Sequence, residues 1–255
     1  MNITDTHTHL YSEAFDDDRD DIIQRAMAQG VDRFFVPAID STYTSRMLDL
    51  EREYPEHVFL MMGLHPTHVK GDFKEELAHV EEQLARRRFY AVGEIGIDLY
   101  WDRTFLNEQQ EAFRFQIQLA KKYALPIVIH CRDAFDEIFE VLESEKGQDL
   151  FGIFHCFTGD MEQAERAISY NMKLGIGGVV TFKNGKIDRF LGQIDLGHIV
   201  LETDAPYLAP VPFRGKRNES AYIIKVIEKL SGIYGISREE IARRTTENSR
   251  QVFKV

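Results

Sequence analysis

The sequence predicts an α/β fold and, within that class, a (β/α)8 TIM barrel. Apolar strand-like segments alternate with amphipathic helical segments along the 255 residues, and eight such strands can be counted. Residues 126–130 (PIVIH) and 151–155 (FGIFH) are nearly continuous apolar runs, typical of parallel strands covered on both faces. An open doubly wound sheet is the alternative, but no GxGxxG fingerprint follows the first strand.

The elements follow from hydrophobic periodicity and from helix-end signals. The predicted strands are residues 3–9, 33–39, 58–63, 90–93, 126–130, 151–155, 172–176 and 199–202. Helical spacing is found at 18–29, 42–54, 72–87, 107–123, 134–143, 160–170, 187–191, 220–234 and 241–252. Capping pairs are expected at Asp72 with Glu75, Asn107 with Gln110 and Ser237 with Glu240. No linker or change of composition interrupts the pattern, so we expect one barrel domain over residues 1–255.

Composition limits the class of protein. No leader-like start and no apolar stretch of roughly 18 residues is found, so we expect a soluble cytoplasmic protein without membrane contact. No obligate protein partner is evident. The net charge of −11 argues against broad nonspecific adhesion to nucleic acid, although it leaves room for a small catalytic cleft. Cys131 and Cys156 form no CxxC motif, and we expect both to be small buried residues.

His7 and His9 form a His-x-His pair at the end of the first predicted strand. Side chains two residues apart point to the same face of a strand, so the two imidazoles would enter one space as a chelate. Imidazole favours zinc and other late first-row divalent ions. Taken alone, two such histidines are more often a chance or surface pair, so the other ligands have to come from the rest of the chain.

Further ligand-type residues follow other predicted strands. A parallel barrel carries its chemistry at the carboxyl ends of its strands, which places all of these residues on one rim. They are His65 after the third strand, Glu94 after the fourth, His130 after the fifth, His155 after the sixth, and Glu202 and Asp204 after the eighth. In contrast, His57, His79 and His198 lie in helices or before strands. The placement of all these ligand-type residues on one rim of the barrel predicts a metal centre there.

The number of ligands predicts more than one ion. Four histidines and two carboxylates exceed the three protein ligands of a single catalytic zinc, and Glu94 is placed to bridge two ions. Two ions roughly 3.5–4 Å apart generate a nucleophile from water near neutral pH, so we expect a hydrolase without a serine or cysteine nucleophile. The ligands do not distinguish zinc, manganese, magnesium, cobalt and nickel.

Several segments, in this order, carry a resemblance to a known family. They are DTHTHL, GLHP, GEIGID, PIVIHCRDA, FHCFTG, and ETDAPYLAP with FRGKRNE. From residue 3 to the C-terminus the chain resembles the TatD family of metal-dependent deoxyribonucleases, which are barrels of the metallo-dependent, amidohydrolase-like hydrolase type. One departure is Ser220, which stands where the family often has proline.

The resemblance implies roles for individual residues. It implies that one metal is held by His7, His9, Glu94 and Asp204, and the second by Glu94, His130 and His155. It also implies that His65 and Glu202 contact a third ion or the substrate phosphate. The expected catalytic residues are therefore Asp204, as ligand and base, with Glu94, Glu202 and His65. The expected substrate is DNA with single-stranded ends, attacked from the 3′ end.

Substrate contacts are predicted from chemistry on the rim. Guanidinium groups match phosphate bidentately, so Arg132, Arg214 and Arg217 are candidate phosphate contacts. Arg132 could instead pair with Asp133 or with a neighbouring helix. The rim aromatics could stack on unpaired bases or simply pack under their loops. These aromatics are Trp101, Phe157 and Tyr207.

Two other functions stay open at this point. The same metal-activated water can attack a carbonyl carbon, so ester or amide hydrolysis, including aminoacyl-tRNA deacylation, is the second hypothesis. An amide pocket would be small and apolar, whereas the basic FRGKRN loop favours phosphate. The third hypothesis is a non-catalytic metal-binding scaffold, which would be expected to lack a ligand or the base.

Overall fold

Eight parallel strands surround the centre of the protein in the computed structural model, which describes residues 1–255. The strands, β1 to β8 in chain order, are Ile3–Asp5, Val31–Pro37, Val58–Met61, Val92–Asp98, Ile127–Arg132, Gly152–Phe154, Met172–Ile176 and Ile199–Leu201. They form one sheet of order β1-β2-β3 and another of order β4-β5-β6-β7-β8. Parallel bridges between Met62 and Val92 and between Thr8 and Ala205 join the two sheets. The predicted (β/α)8 barrel is therefore confirmed.

The helices cover the outside of the barrel with their apolar faces inward. The α-helices, α1 to α8, are Arg19–Ala28, Thr44–Glu53, Phe73–Arg86, Leu106–Tyr123, Phe135–Glu145, Met161–Ser169, Ile223–Tyr234 and Arg238–Phe253. Between β7 and β8 the chain forms four short 3-10 turns instead of an α-helix. None of the helices combines the length and the apolar character that a bilayer span would need.

The amino end of the barrel is closed by an apolar plug. Its residues come from five strands, from the position just before β4 and from the last turn of α8, and they are Phe35, Met61, Ala91, Val128, Ile153, Val200, Val252 and Phe253. The Phe253 ring stacks on Phe35 with a centroid separation of 3.6 Å. Because this end is sealed, only the opposite end of the barrel is available to a ligand.

Two strands, β1 and β4, end four or more residues from the predicted position, and the other six end within two residues of it. β4 runs from Val92 to Asp98, so Glu94 lies inside the strand and does not end it. A register shift between Gly93 and Ile95 occurs there, and pairing with β5 then continues to the end of the strand. β1 is shorter than predicted and stops at Asp5.

The predicted helix caps form in one case of three. The Ser237 hydroxyl accepts from the Glu240 N–H, as predicted. Asp72 precedes α3 without a capping hydrogen bond from its side chain. The helix predicted to start at Asn107 begins one residue earlier, and its N-cap is Phe105.

Candidate metal centre

The imidazoles of His7 and His9 enter the same space beyond β1. His7 Nε2 lies 3.1 Å from Glu94 Oε2, and His9 Nε2 lies 3.7 Å from the same oxygen. His9 Nε2 is also 3.5 Å from Asp204 Oδ1. Although the strand has ended, backbone bonds from Thr8 to Phe35 and from His9 to Ala205 keep this segment extended. The four side chains form the first group of ligand atoms.

The other oxygen of Glu94 faces a second group. Glu94 Oε1 lies 2.8 Å from His130 Nδ1 and 3.4 Å from His155 Nε2. His65 Nε2 lies 3.4 Å from the same oxygen. A carboxylate whose two oxygens face separate sets of imidazoles has the arrangement needed to bridge two cations.

Asp5 connects the strand ends that carry the first group. Its carboxylate accepts from the His7 N–H at 3.3 Å, and from the N–H and hydroxyl of Thr203 at 3.0 and 2.6 Å. Burial raises the pKa of Asp5 to about 7, although these hydrogen bonds oppose the shift. This network fixes the position of His7 relative to Asp204, which follows Thr203.

Both carboxylates at the centre are held ionised. Burial acts to raise the pKa of Glu94, but electrostatic interaction with the imidazoles of His65, His7 and His155 and the hydrogen bond from His130 hold it well below its usual range. Burial likewise opposes ionisation of Asp204, yet its contact with His9 and the nearby imidazoles of His155 and His7 lower its pKa. Asp204 also has a left-handed backbone with φ +56°, which is uncommon outside glycine and typical of functional sites.

Tyr11 determines which nitrogen of His9 carries the proton. The Tyr11 hydroxyl donates to the Pro37 carbonyl at 2.9 Å, so it accepts from His9 Nδ1–H at 3.0 Å. His9 Nε2 then presents a lone pair toward Glu94 and Asp204. This is the tautomer that a metal ligand requires. The sequence analysis missed Tyr11, although its two-residue spacing from His9 was a usable signal.

Asp98 supports His130 as Tyr11 supports His9, by contacting the ring nitrogen that faces away from Glu94. Asp98 Oδ2 lies 2.8 Å from His130 Nε2, which leaves Nδ1 directed at Glu94. Burial acts to lower the pKa of His130, but its hydrogen bonds to Asp98 and Glu94 raise it. Two acceptors 2.8 Å apart need a proton or a cation between them, so this donor set fits a metal ion. Asp98 was missed because the fourth strand was predicted to end before it.

His155 is backed by Glu202. His155 Nδ1 lies 3.1 Å from Glu202 Oε1, which also accepts from the Cys156 N–H at 2.7 Å. The charges of Glu202 and Glu94 outweigh burial and raise the pKa of His155 to about 10. Glu202 itself has no exposed surface and does not line the cleft. Its carboxylate lies behind His155, so it cannot contact substrate directly.

His65 differs from the other four imidazoles. Its Nδ1 accepts from the Thr67 N–H at 3.1 Å, so the ring hydrogen is on Nε2, the atom that faces Glu94. Burial lowers the pKa of His65 to about 4. The ring is therefore a neutral donor toward the centre. His65 and Glu202 belong to separate groups of ligand atoms, so the structure does not place them around one third ion.

A cleft of about 530 Å³ opens above these groups at the carboxyl end of the barrel. Its lining includes the metal-binding candidates His9, Glu94, His130, His155 and Asp204. Its only arginine or lysine is Arg132, and the aromatic residues Trp101 and Tyr207 also line it. The volume is in the range of small-molecule and nucleotide sites, roughly 300–1,000 Å³.

Comparison with known proteins agrees with this geometry. The sequence model of the TatD related DNase family matches residues 4–254. The chain belongs to the TatD family. It is 39% identical over 252 residues to the uncharacterized metal-dependent hydrolase YabD of Bacillus subtilis, with 98% of each chain covered. It is a metal-dependent hydrolase, as the sequence analysis predicted.

Two further TatD proteins bear on the fold and the activity. The crystal structure of the TatD homologue YjjV of Escherichia coli superimposes with a TM-score of 0.93 at 31% identity, covering 99% of this chain and 98% of that one. A protein of Pectobacterium parmentieri named 3′-5′ ssDNA/RNA exonuclease TatD is 28% identical over 260 residues, covering 98% of this chain and 99% of that protein.

The three candidate arginines do not converge on the cleft of this TatD protein. Arg217 donates to Asp18 at 2.8 Å and to the Ala14 carbonyl, and Arg214 lies over the Phe182 ring at 3.7 Å. Neither lines the cleft. Arg132 does, and it has no carboxylate within ion-pairing distance, so the alternative pairing with Asp133 is not formed.

Burial decides between the two alternatives for Phe157 and corrects the expectation for the two cysteines. Phe157 is 3% exposed and packs against Phe135 and Phe154, so it cannot stack on a substrate. Cys131 and Cys156 are half-buried and line the cleft, where full burial was expected. Cys156 comes after β6 with φ +45°, so the side-chain alternation of a strand does not apply to it.

Proposed function

We propose that this chain is a deoxyribonuclease that removes nucleotides from the 3′ ends of single-stranded DNA with two divalent ions held across Glu94. The observation that carries the proposal is the pair of ligand groups on the two oxygens of Glu94, beneath a cleft with one free arginine. The name of the Pectobacterium relative supports the choice of substrate and direction.

The ligand sets follow from the two sides of Glu94. We assign one ion to His7, His9, Glu94 and Asp204, and the other to Glu94, His130 and His155. When bound, such a pair lowers the pKa of a water molecule toward neutrality and offsets the charge that develops on the phosphate oxygens. Imidazoles and carboxylates together suit zinc, manganese, cobalt or nickel, and magnesium would bind such a site more weakly.

The other roles are assigned to side chains in or behind the cleft. Asp204 accepts the proton of the attacking water on its carboxylate, because its low pKa keeps it ionised at neutral pH. His65 donates its Nε2–H to a nonbridging phosphate oxygen, so we assign it to substrate and include no third ion. Arg132 binds the same phosphate group with its free guanidinium. Glu202 acts on catalysis only by holding His155.

The test is cleavage of labelled single-stranded DNA by protein stripped of metal with a chelator. Magnesium, manganese or zinc is restored one at a time, with strands labelled at the 5′ end in one set and at the 3′ end in another. Stepwise 3′ shortening gives a ladder from the 5′ label and a labelled mononucleotide from the 3′ label. We expect this pattern with the wild type plus metal and not with Asp204→Asn.

An ester and amide panel, including an aminoacyl ester, is run with the same proteins and metals. If DNA stays intact while an ester or amide is cleaved with the same dependence on metal and Asp204, the metal centre stands and the proposed substrate class is wrong. If Asp204→Asn retains wild-type activity on DNA, the assignment of Asp204 as base is wrong.

A further inference from the structure

The mouth of the cleft concentrates exposed aromatic surface. Trp101 is 73% exposed, the highest value among the large hydrophobic residues, and Tyr100 beside it is 51% exposed. On the lining of the same cleft, Tyr207 is 54% exposed and Leu208 is 39% exposed. Large apolar side chains that face water around a site are a mark of ligand or partner binding.

Trp101 belongs to an ordered cluster with Tyr100 and Arg132. The Tyr100 and Trp101 rings meet edge to face with centroids 4.7 Å apart. The Arg132 guanidinium lies 3.6 Å from the centroid of Tyr100 and 5.5 Å from that of Trp101. These cation–π contacts orient the guanidinium while using none of its N–H donors.

The cluster is tied to the metal centre through the backbone. The Tyr100 N–H donates to Asp98 Oδ1 at 3.0 Å, and the other oxygen of Asp98 holds His130. The Leu99 N–H donates to the Arg132 carbonyl at 2.9 Å. The aromatic residues therefore have a fixed position relative to the candidate ligands.

We infer that Trp101 is the platform on which the unpaired 3′-terminal base of the substrate stacks, while Arg132 holds the adjacent phosphate. This inference rests on the proposed nuclease function and adds the residue that selects unpaired ends. A paired terminal base stacks within its own duplex and must be released before its face can cover Trp101. Stacking on an aromatic side chain contributes about 1–3 kcal/mol per base and tolerates any base. The cleft volume suits one terminal nucleotide better than a long bound strand.

Trp101 is the only tryptophan in the chain, so its fluorescence reports on this site alone. Magnesium-supplied protein is titrated with a phosphorothioate single strand that ends in a 3′ adenine, and with the same strand whose last nucleotide is abasic. Stacking should quench Trp101 with the adenine-ended strand and give roughly 5- to 150-fold tighter binding than the abasic strand. Equal affinities without selective quenching would overturn the inference.

Variants test the same point on cleavable strands. The quantity compared is the ratio of kcat/KM for the adenine-ended strand to kcat/KM for the abasic strand. Trp101→Ala should bring this ratio close to one, and Trp101→Phe should restore most of it. The matched control is Phe115→Ala, which removes an exposed aromatic on α4 outside the cleft and should keep the wild-type ratio.

The outcomes separate this inference from the proposed function. If adenine-ended DNA quenches Trp101 but no strand is cleaved with any metal, the stacking platform stands and the nuclease proposal is wrong. If DNA is shortened from the 3′ end while Trp101→Ala keeps the wild-type ratio, the nuclease proposal stands and the platform is wrong.

Discussion

Glu94 is the residue on which the proposed two-ion centre depends. One oxygen faces His7 and His9 and the other faces His130 and His155. Because glutamine lacks the negative charge and offers one carbonyl oxygen, Glu94→Gln should reduce bound metal from two ions to at most one. We expect kcat/KM to fall by more than about 100-fold, the upper range for loss of a partner that only supports a ligand.

Metal analysis after dialysis and kinetics on the same sample measure this change. Glu111→Gln, an exposed position on α4, is the matched control and should behave as wild type. A Glu94→Gln protein that retains two tightly bound ions and its activity would contradict the bridging role.

Asp98 should act on metal binding without contacting a metal. Asp98→Asn removes the charge that orients His130 and favours its ligand tautomer, so we expect metal affinity to fall by about 10- to 100-fold. Competition with a chromophoric chelator measures the affinity. Asp102→Asn changes an exposed aspartate of the loop that follows β4 and should leave the affinity unchanged. Unchanged affinity in Asp98→Asn would mean that the hydrogen bond to His130 has no role in metal binding.

At the scale of elements, α4 supports the loop that carries His65 and the end of β4 at Asp98. Gln116 accepts from the Leu64 N–H at 2.7 Å and donates to the Leu64 carbonyl at 3.2 Å. Two helical turns earlier, Gln109 makes the same pair of bonds to the backbone of Asp98 at 2.8 and 3.3 Å. Both glutamines are buried, so they replace water as partners for backbone groups inside the protein.

Gln116→Leu should therefore destabilise the protein more than the small change in side-chain volume suggests. The substitution leaves a buried N–H and a buried carbonyl without partners, and we expect the free energy of unfolding to fall by about 1–3 kcal/mol. Denaturant unfolding measures it. Gln118→Leu, at an exposed position of the same helix, should change it by less than about 0.5 kcal/mol. Equal stability of the two variants would refute the supporting role of Gln116.

The placement of the elements could largely be predicted from the sequence, because barrel strands are apolar runs with a regular spacing. The end of β4 could not, because Gly93 and Gly96 interrupt the apolar pattern and the strand continues only through pairing with β5. The directions of Arg214 and Arg217 could not be predicted, since closeness in sequence does not show where side chains point. Their guanidinium groups lie on Phe182 and Asp18 instead.

The side chains that support the candidate ligands could not be predicted from the sequence either, because their partners are backbone groups. Tyr11 acts through the carbonyl of Pro37, and Glu202 acts through the N–H of Cys156. Neither partner has a pattern in the sequence, because backbone groups are present at every position. The rim residues were therefore predictable as a set, whereas the distinction between a ligand and its support required the structure.

At the scale of the molecule, α8 closes the barrel and joins both ends of the chain. Phe253 stacks on Phe35 in the plug, and the Thr246 hydroxyl donates to the Asn2 carbonyl at 3.0 Å. We propose that residues 1–255 unfold as one domain in a single transition. Phe253→Ala should lower the free energy of unfolding by about 3–5 kcal/mol, the usual cost of emptying an aromatic core position.

Urea unfolding followed by both fluorescence and circular dichroism measures this effect, with exposed Lys254→Ala as the control. Two separate transitions would contradict the single domain. A Phe253→Ala protein as stable as the control would contradict the role of the plug.

The most direct test of the two-ion centre is a titration of chelator-stripped protein with manganese, in which bound metal and DNA shortening are measured on the same samples. Electron paramagnetic resonance of free manganese gives the number bound. The Glu94-bridged centre predicts two ions per chain, with shortening of the strand rising mainly as the second ion binds. Full activity with one ion, or intact DNA with two ions bound, would contradict it.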